Sequence, residues 1–315
     1  MKKQIFIDGH VGTTGLQVAD KLMRHDDITI LKIDDDKRKD EAARKDIYAA
    51  SDAVILCLPD DAAKAAVQMA AELDIIIIDA STAHRVSDDF TYGLPELTAG
   101  HRDKIANARL ISNPGCYPTG FLSLVRPLRD AGFLADDVLL NTSAVSGYSG
   151  GGNALIASFE AGDVPSQFSY GHNLAHKHNP EMQKFANLQT APIFMPSVGD
   201  FAQGMLVHVP LHHNQMTRSA TADDIAQIYQ AHFAQSDVIT AYDGNDTSQL
   251  TEKGFLAADG LAGKDRLEIF TFSNHDTGHI WLTARLDNLG KGASGAAVQN
   301  MNIALGMAET AGLSL

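Results

Sequence analysis

The stretch "SNPGCYPTG", Ser112 to Gly120, sets a cysteine inside a turn. Pro114 and Gly115 reverse the chain, and Pro118 suits the first turn of a helix that follows. A thiol just ahead of a helix N-terminus has its thiolate stabilised by the helix dipole and by N–H groups, so Cys116 is expected to be a nucleophile. An inert turn cysteine is the alternative. The other cysteine, Cys57 in "VILCLP", lies in a run that reads as a strand buried on both faces, where a small apolar role is expected.

A second chemical signature is "IDGHVGTTGLQV", which follows an apolar strand-like run and opens a helical one. Gly9, Gly12 and Gly15 are spaced G-x-x-G-x-x-G, with Thr13 and Thr14 at the helix start. Glycine permits the tight turn and lets the backbone approach a pyrophosphate, whose charge then rests on the helix N-terminus. His10 stands where the commonest fingerprint has its second glycine, so a variant dinucleotide site is expected. Downstream, "IDDDKRKD" offers an acidic residue for a ribose diol, or Lys37, Arg38 or Lys39 for a 2′-phosphate. A solvated charge run is the competing reading; the balance leans to NADP(H). A nucleophilic cysteine beside a dinucleotide points to one chemistry, in which the thiolate attacks an activated acyl group and the resulting thioester takes a hydride.

The elements that must position these residues fall into two textures. Up to Cys116, β-branched strand-length runs (Gln4 to Asp8, Ile28 to Asp34, Ala53 to Pro59, Asp74 to Ala80) alternate with helix-like segments near Gly15 to Arg24 and Asp60 to Glu72. That βαβ pattern predicts a Rossmann-type doubly wound parallel sheet. Beyond Cys116, strand-like stretches of mixed polarity dominate, with helices expected near Pro118 to Ala131 and Ala222 to Ala234. An α+β substrate domain with a mostly antiparallel sheet is expected there. The helical tail is expected to return to the first domain, giving a dinucleotide-binding domain of residues 1–115 and 291–315 and a catalytic, substrate and oligomerisation domain of residues 116–290.

Composition removes several other classes. The 315 residues carry 39 acidic against 25 basic side chains, a formal charge of −14, which argues against nucleic-acid or anionic-membrane partners. No run approaches the roughly 20 apolar residues of a membrane span, and the N-terminal apolar run is too short for a secretory signal. Two cysteines form neither a disulfide framework nor a C-x-x-C metal or redox pair, so no metal site is expected and a cytoplasmic location is.

Together "SNPGCYPT", "YGLPE" (Tyr92 to Glu96), "DASTAHR" (Asp79 to Arg85), "HKHNPEM" (His176 to Met182) and "DNLGKGASGAAVQNMN" (Asp287 to Asn302) resemble the motifs of the shorter N-acetyl-gamma-glutamyl-phosphate reductases of arginine biosynthesis, in the aspartate-semialdehyde dehydrogenase-like superfamily. The resemblance runs from the first strand to the last helix. It implies that Cys116 forms the thioester, that NADPH supplies the hydride, that the substrate is an acyl phosphate, and that the chain forms a homodimer or homotetramer. Longer family members carry a histidine and an arginine in "PHLVPMxRG"; here "PSVGDFAQG" (Pro196 to Gly204) puts Ser197 and Gln203 there. The acid/base role then falls to His178, to its neighbour His176, or to His208 in "GMLVHVPL". For the anionic substrate the candidates are Arg85 and the loop from Ser146 and Gly147 to Gly152, which lacks the longer form's arginine. Asn288, Gly292 and Gly295 of "NLGKGASG" are expected on the nicotinamide side of the cofactor.

Two rival functions are carried forward. One is a related reductase of aspartyl phosphate or another amino-acid acyl phosphate. The other is a dinucleotide-binding sensor that uses Cys116 as a non-catalytic thiol switch.

Overall fold

The computed structural model describes residues 2–10 and 12–315; Met1 and Val11 lie outside them. The chain divides into two compact units, each treated by itself below: Met1–Pro95, Gly100–Pro114 and Ala293–Leu313 in one, Glu96–Ala99, Gly115–Gly292 and Ser314–Leu315 in the other.

The first unit runs β1 (Lys3–Asp8), α1 (Thr13–Leu22), β2 (Ile28–Leu31), α2 (Glu41–Ala49), β3 (Ala53–Leu56), α3 (Asp60–Met69), β4 (Ile76–Asp79), β5 (Thr91–Tyr92), α4 (His101–Ala106) and β6 (Leu110–Ser112). Its strands form one sheet in the order β2-β1-β3-β4-β6-β5, every pair parallel. Alternation along the strands builds two cores. Ile5, Ile7, Ile55 and Ile78 face Val18 and Leu22 of α1 and Val298 and Met301 near the C-terminus. Phe6, Val54, Leu56 and Ile77 face the other way, onto Tyr48, Ala63 and Ala66.

Three features of this unit differ from the sequence reading. β2 ends at Leu31, and Asp35–Lys37 forms a separate short 3₁₀ turn, so the charge run stands beyond the strand. Helix α2 had no apolar stripe to betray it, since Tyr48 is its one buried residue. Tyr48 is nevertheless a pivot: its hydroxyl donates to Asp8 Oδ2 at 2.5 Å, and Arg44 Nη2 donates to the same oxygen at 2.6 Å. β3 stops at Leu56, leaving Cys57 just past the strand, partly buried against the core.

The second unit runs α5 (Cys116–Asp130), β7 (Asn141–Gly147), α6 (Gly152–Ala161), β8 (Gln167–Ser169), α7 (Asn179–Phe185), β9 (Ile193–Gly199), β10 (Met205–Leu211), α8 (Ala222–His232), β11 (Ile239–Gly244), β12 (Leu267–Asn274) and β13 (His279–Leu286). Its sheet has the order β11-β12-β13-β10-β7-β9-β8, with β11/β12 and β7/β9 parallel and the other four pairs antiparallel. Helix α5 seats on one sheet face because Gly120 lets it approach Val207 and Leu286; a Cβ at Gly120 would fall 2.7 Å from the Val207 side chain. A π-helical turn, Gly290–Ser294, leads into α9 (Gly295–Ala304).

Candidate active site

In the first unit the glycine turn joins β1 to α1. Gly9 has φ +93°, and a Cβ there would sit 2.3 Å from the Cys57 carbonyl oxygen. A Cβ at Gly15 would sit 2.4 Å from the Gly9 oxygen. Both positions therefore require glycine. Gly12 N–H donates to Gly9 O and Gly12 caps α1, whose first turn, with Thr13 and Thr14, holds no acidic residue. A ten-residue helix with this cradle at its N-terminus fits a dinucleotide pyrophosphate. Arg38 is half exposed on the 3₁₀ turn after β2, its Nε 3.4 Å from Asp35 Oδ1. Arg44 is turned inward to Asp8 instead.

At the carboxyl ends of β4 and β6, Arg85 spends Nε on the Asn113 carbonyl (3.0 Å) and Nη2 on the Ala80 carbonyl (3.2 Å). Buried Asp79 accepts from Ser81 Oγ and lies 2.6 Å from His84 Nδ1. Asn113 donates to the Ala293 carbonyl and Asn300 to Gly93 O, so the segments before Cys116 and after Gly292 are tied through amide side chains. Gly295 is buried at the start of α9. The Cys57 thiol is pushed up to about 12, chiefly by burial and then by the Asp79 and Asp8 carboxylates. It is a poor nucleophile at neutral pH, in keeping with an apolar role.

In the second unit Cys116 is the first residue of α5 and is partly exposed. Three groups of neighbours fix it. Gly292 packs on it so closely that a Cβ would fall 2.8 Å from Cys116 Cβ. The amide of Gly115, the N-cap, donates to Glu181 Oε1 at 2.8 Å; Glu181, in the first turn of α7, is 1% exposed. Tyr117 donates from its hydroxyl to the Ser197 carbonyl and receives Tyr170 OH at 3.3 Å, and burial raises both phenols, that of Tyr170 to about 12.

His178 caps the same α7 that carries Glu181 and is buried, its ring 5.9 Å from that of Tyr117 and 4.8 Å from His176. Its backbone amide donates to His176 Nδ1 at 3.2 Å. Burial, followed by the Lys177 charge, lowers the pKa of His176. Glu181 was not among the sequence candidates; its spacing three residues after His178, one helical turn, was the available signal. Glu96 and Lys291 were also missed. They form a buried ion pair (Nζ to Oε2 2.9 Å, Oε1 3.0 Å) that anchors the turn presenting Gly292.

The remaining candidates separate into those near this cluster and those turned away. Ser146 is buried and hydrogen-bonds Gly147 O. The Gly147, Tyr148 and Ser149 amides donate to the carbonyls of Gly204, Phe201 and Ala202, so the donors expected for a substrate anion in that part of the loop are committed within the protein. Asn288 is committed likewise: Oδ1 accepts from Gly204 N and Nδ2 donates to Ser149 Oγ. It ties the loop to the turn before Gly292. Ser197, in the position of the longer form's histidine, donates its hydroxyl to the Ala144 carbonyl.

His208 lies on the far face. Val207 points to Gly120 of α5, and strand alternation turns His208 away from the helix that carries Cys116. Its Nδ1 accepts from Trp281 Nε1 (3.1 Å) and lies 2.9 Å from Thr283 Oγ1. Burial lowers it from 6.5 to about 4. The folded state thus binds fewer protons here than the unfolded chain, so the stability is present above about pH 6.5 and drains away as pH falls toward 4. Denaturant unfolding should lose up to about 3 kcal/mol at this residue across that window, and His208→Gln should flatten the slope. An unchanged slope would remove His208 from the acid sensitivity.

Known proteins match both parts of the chain. Residues 11–108 match the NAD binding domain of semialdehyde dehydrogenase, and residues 116–288 its dimerisation domain. The N-acetyl-gamma-glutamyl-phosphate reductase of Brucella suis is 48% identical over 312 residues, covering 97% of this chain and 100% of the relative. That of Allorhizobium ampelinum is 47% identical over 311 residues, 97% and 99% of the two chains. Among solved structures, aspartate semialdehyde dehydrogenase from Francisella tularensis superposes with a TM-score of 0.73 at 13% identity (96% and 99% covered). The Vibrio cholerae enzyme does so at 0.70 and 16% (97% and 98%). These two share the fold. With a nicotinamide-dinucleotide-binding unit, a cysteine at a helix N-terminus and full-length identity near one half, this chain belongs to the N-acetyl-gamma-glutamyl-phosphate reductase family.

Proposed function

We propose that the protein reduces N-acetyl-L-glutamyl 5-phosphate to N-acetyl-L-glutamate 5-semialdehyde and phosphate, with NADPH, in the cytoplasm and as a step of arginine biosynthesis. The observation that carries the reading is Cys116 on the first turn of α5, wedged against Gly292 and with the preceding amide held by Glu181. The first unit is assigned to the dinucleotide and the second to the acyl group. Gly9, Gly12, Thr13, Thr14 and Gly15 would hold the pyrophosphate, and Arg38, the half-exposed cation after β2, the 2′-phosphate. A nicotinamide dinucleotide held by these residues would supply the hydride.

The chain's own residues do the rest. The Cys116 thiolate, favoured by the α5 dipole, attacks the acyl carbon; the C–S bond forms as the C–O bond to phosphate breaks, and phosphate leaves with the bonding pair. Once the thioester is reduced, the C–S bond breaks and the thiolate returns. His178, held beside Tyr117 on the helix anchored to Gly115, is assigned the proton that the carbonyl oxygen gains and loses. Glu181 positions Gly115 and with it Cys116. Gly292 keeps the turn close to the thiol, with Asn288 as its brace and Gly295 opening α9 behind it.

The second unit is assigned a role in self-association. Trp281 on β13 and Ile193 and Met195 on β9 leave large apolar side chains exposed, about half of each accessible.

The reading is tested by phosphate-dependent reduction of NADP⁺ with two aldehydes. N-acetylglutamate semialdehyde should be strongly preferred over aspartate semialdehyde. Preference for the latter would make this an aspartyl-type reductase, and cofactor binding without turnover of either would make Cys116 a redox sensor.

A further inference from the structure

A second concentration of chemistry stands apart from the residues assigned above to the cofactor, the acyl group and proton transfer, on the face of β13 that also exposes Trp281. Four of the thirteen histidines lie in two short segments of the second unit, His212 and His213 just after β10, and His275 and His279 around the β12–β13 turn. The antiparallel register pairs Leu211 with Ile280, which sets His212 beside His279. Their rings meet almost at right angles (86°, centroids 4.7 Å apart), with His212 Nδ1 3.2 Å from His279 Nε2. Both residues are exposed.

The backbones beneath the two rings are held independently of them. The amide of His212 donates to Gln215 Oε1 at 2.7 Å, while Gln215 Nε2 donates to the Leu139 carbonyl. On the other side, Asn274 Oδ1 accepts from the amides of Asp276 and Thr277 and its carbonyl from Gly278, closing the turn that leads to His279. The two backbones that carry the imidazoles are thus fixed by protein contacts.

We infer that His212 Nδ1 and His279 Nε2 form a chelating site for one divalent transition-metal ion of the class that imidazole suits, Ni²⁺, Cu²⁺ or Zn²⁺. With metal–nitrogen bonds of about 2.0–2.1 Å, a 3.2 Å separation gives an N–metal–N angle of about 100°, between octahedral and tetrahedral values. Among the described residues no group of three or more His, Cys, Asp or Glu side chains is arranged around a metal position, so the other coordination positions belong to water. Both facing nitrogens must be bare to bind. A ligating imidazole carries its proton on the outer nitrogen, so binding the ion displaces any proton from the facing one. The −14 formal charge of the chain favours cation approach.

Tag-free protein titrated with Ni²⁺ by calorimetry should bind one ion per chain at neutral pH and lose that binding in acidic buffer. Outer-sphere partners alone are worth about 10–100-fold in metal affinity, so His212→Ala and His279→Ala should each weaken binding at least about tenfold. The double variant should abolish it, with reductase activity unchanged. Cu²⁺ on the unmodified protein should show two nitrogen ligands by electron paramagnetic resonance, a readout that needs no variant to fold. Absence of stoichiometric binding, full-strength binding in the double variant, or a copper signal without two nitrogens would overturn the site.

Discussion

Cys116→Ser is expected to retain NADPH binding and to lose phosphate-dependent oxidation of N-acetylglutamate semialdehyde by a factor on the order of 10⁴ or more. A serine hydroxyl occupies nearly the same volume at the first residue of α5, so the Gly292 contact and the Gly115–Glu181 hydrogen bond persist. What disappears is a thiol at a helix N-terminus, where the dipole favours the thiolate. The effect belongs in kcat, because the dinucleotide is assigned to the other unit, whose glycine cradle is untouched. Alkylation gives a cross-check on unmodified protein: with its thiol raised to about 12, Cys57 should stay unlabelled while Cys116 reacts. Activity surviving in the serine variant would leave the thioester without a carrier.

His178→Asn comes next in size, with kcat expected to fall about 10²–10⁴-fold and cofactor affinity unchanged. The residue caps α7, and asparagine is itself a good capping residue, so the helix should survive the change. Glu181→Gln separates positioning from proton transfer. A glutamine oxygen can still accept from Gly115 N–H, so kcat should fall less than in His178→Asn and its pH profile should keep the wild-type shape. If His178→Asn left kcat intact, the proton would have to pass through another group. His208 is poorly placed for it, since it faces away from α5 and is already lowered to about 4.

The sequence carried the parts of this structure that are local. Parallel strands buried on both faces must be continuously apolar, and those runs located β1, β3 and β4 to within a few residues. The Pro-Gly turn and Pro118 put the thiol at a helix start because such residues have few other conformations to adopt. Helix α2 escaped because it buries Tyr48 alone and presents charge elsewhere. Long-range partnerships escaped for a different reason. Nothing in "YGLPE" announces that Glu96 will meet Lys291, 195 residues away, and the Glu181 contact with Gly115 spans 66. The histidines show the same limit: residue type nominated His178 and His208 equally, and only the side of the sheet on which each lies distinguishes them.

The most direct test of the central claim is to look for the acyl group on Cys116. Protein mixed with N-acetylglutamate semialdehyde and NADP⁺ in the absence of phosphate should produce about one equivalent of NADPH and stop, because the thioester has no phosphate to receive it. Acid quench, digestion and mass spectrometry should then find the N-acetylglutamyl adduct on the peptide containing Cys116, and added phosphate should remove it. One equivalent of NADPH with no adduct on that peptide, or an adduct on another residue, would contradict the mechanism.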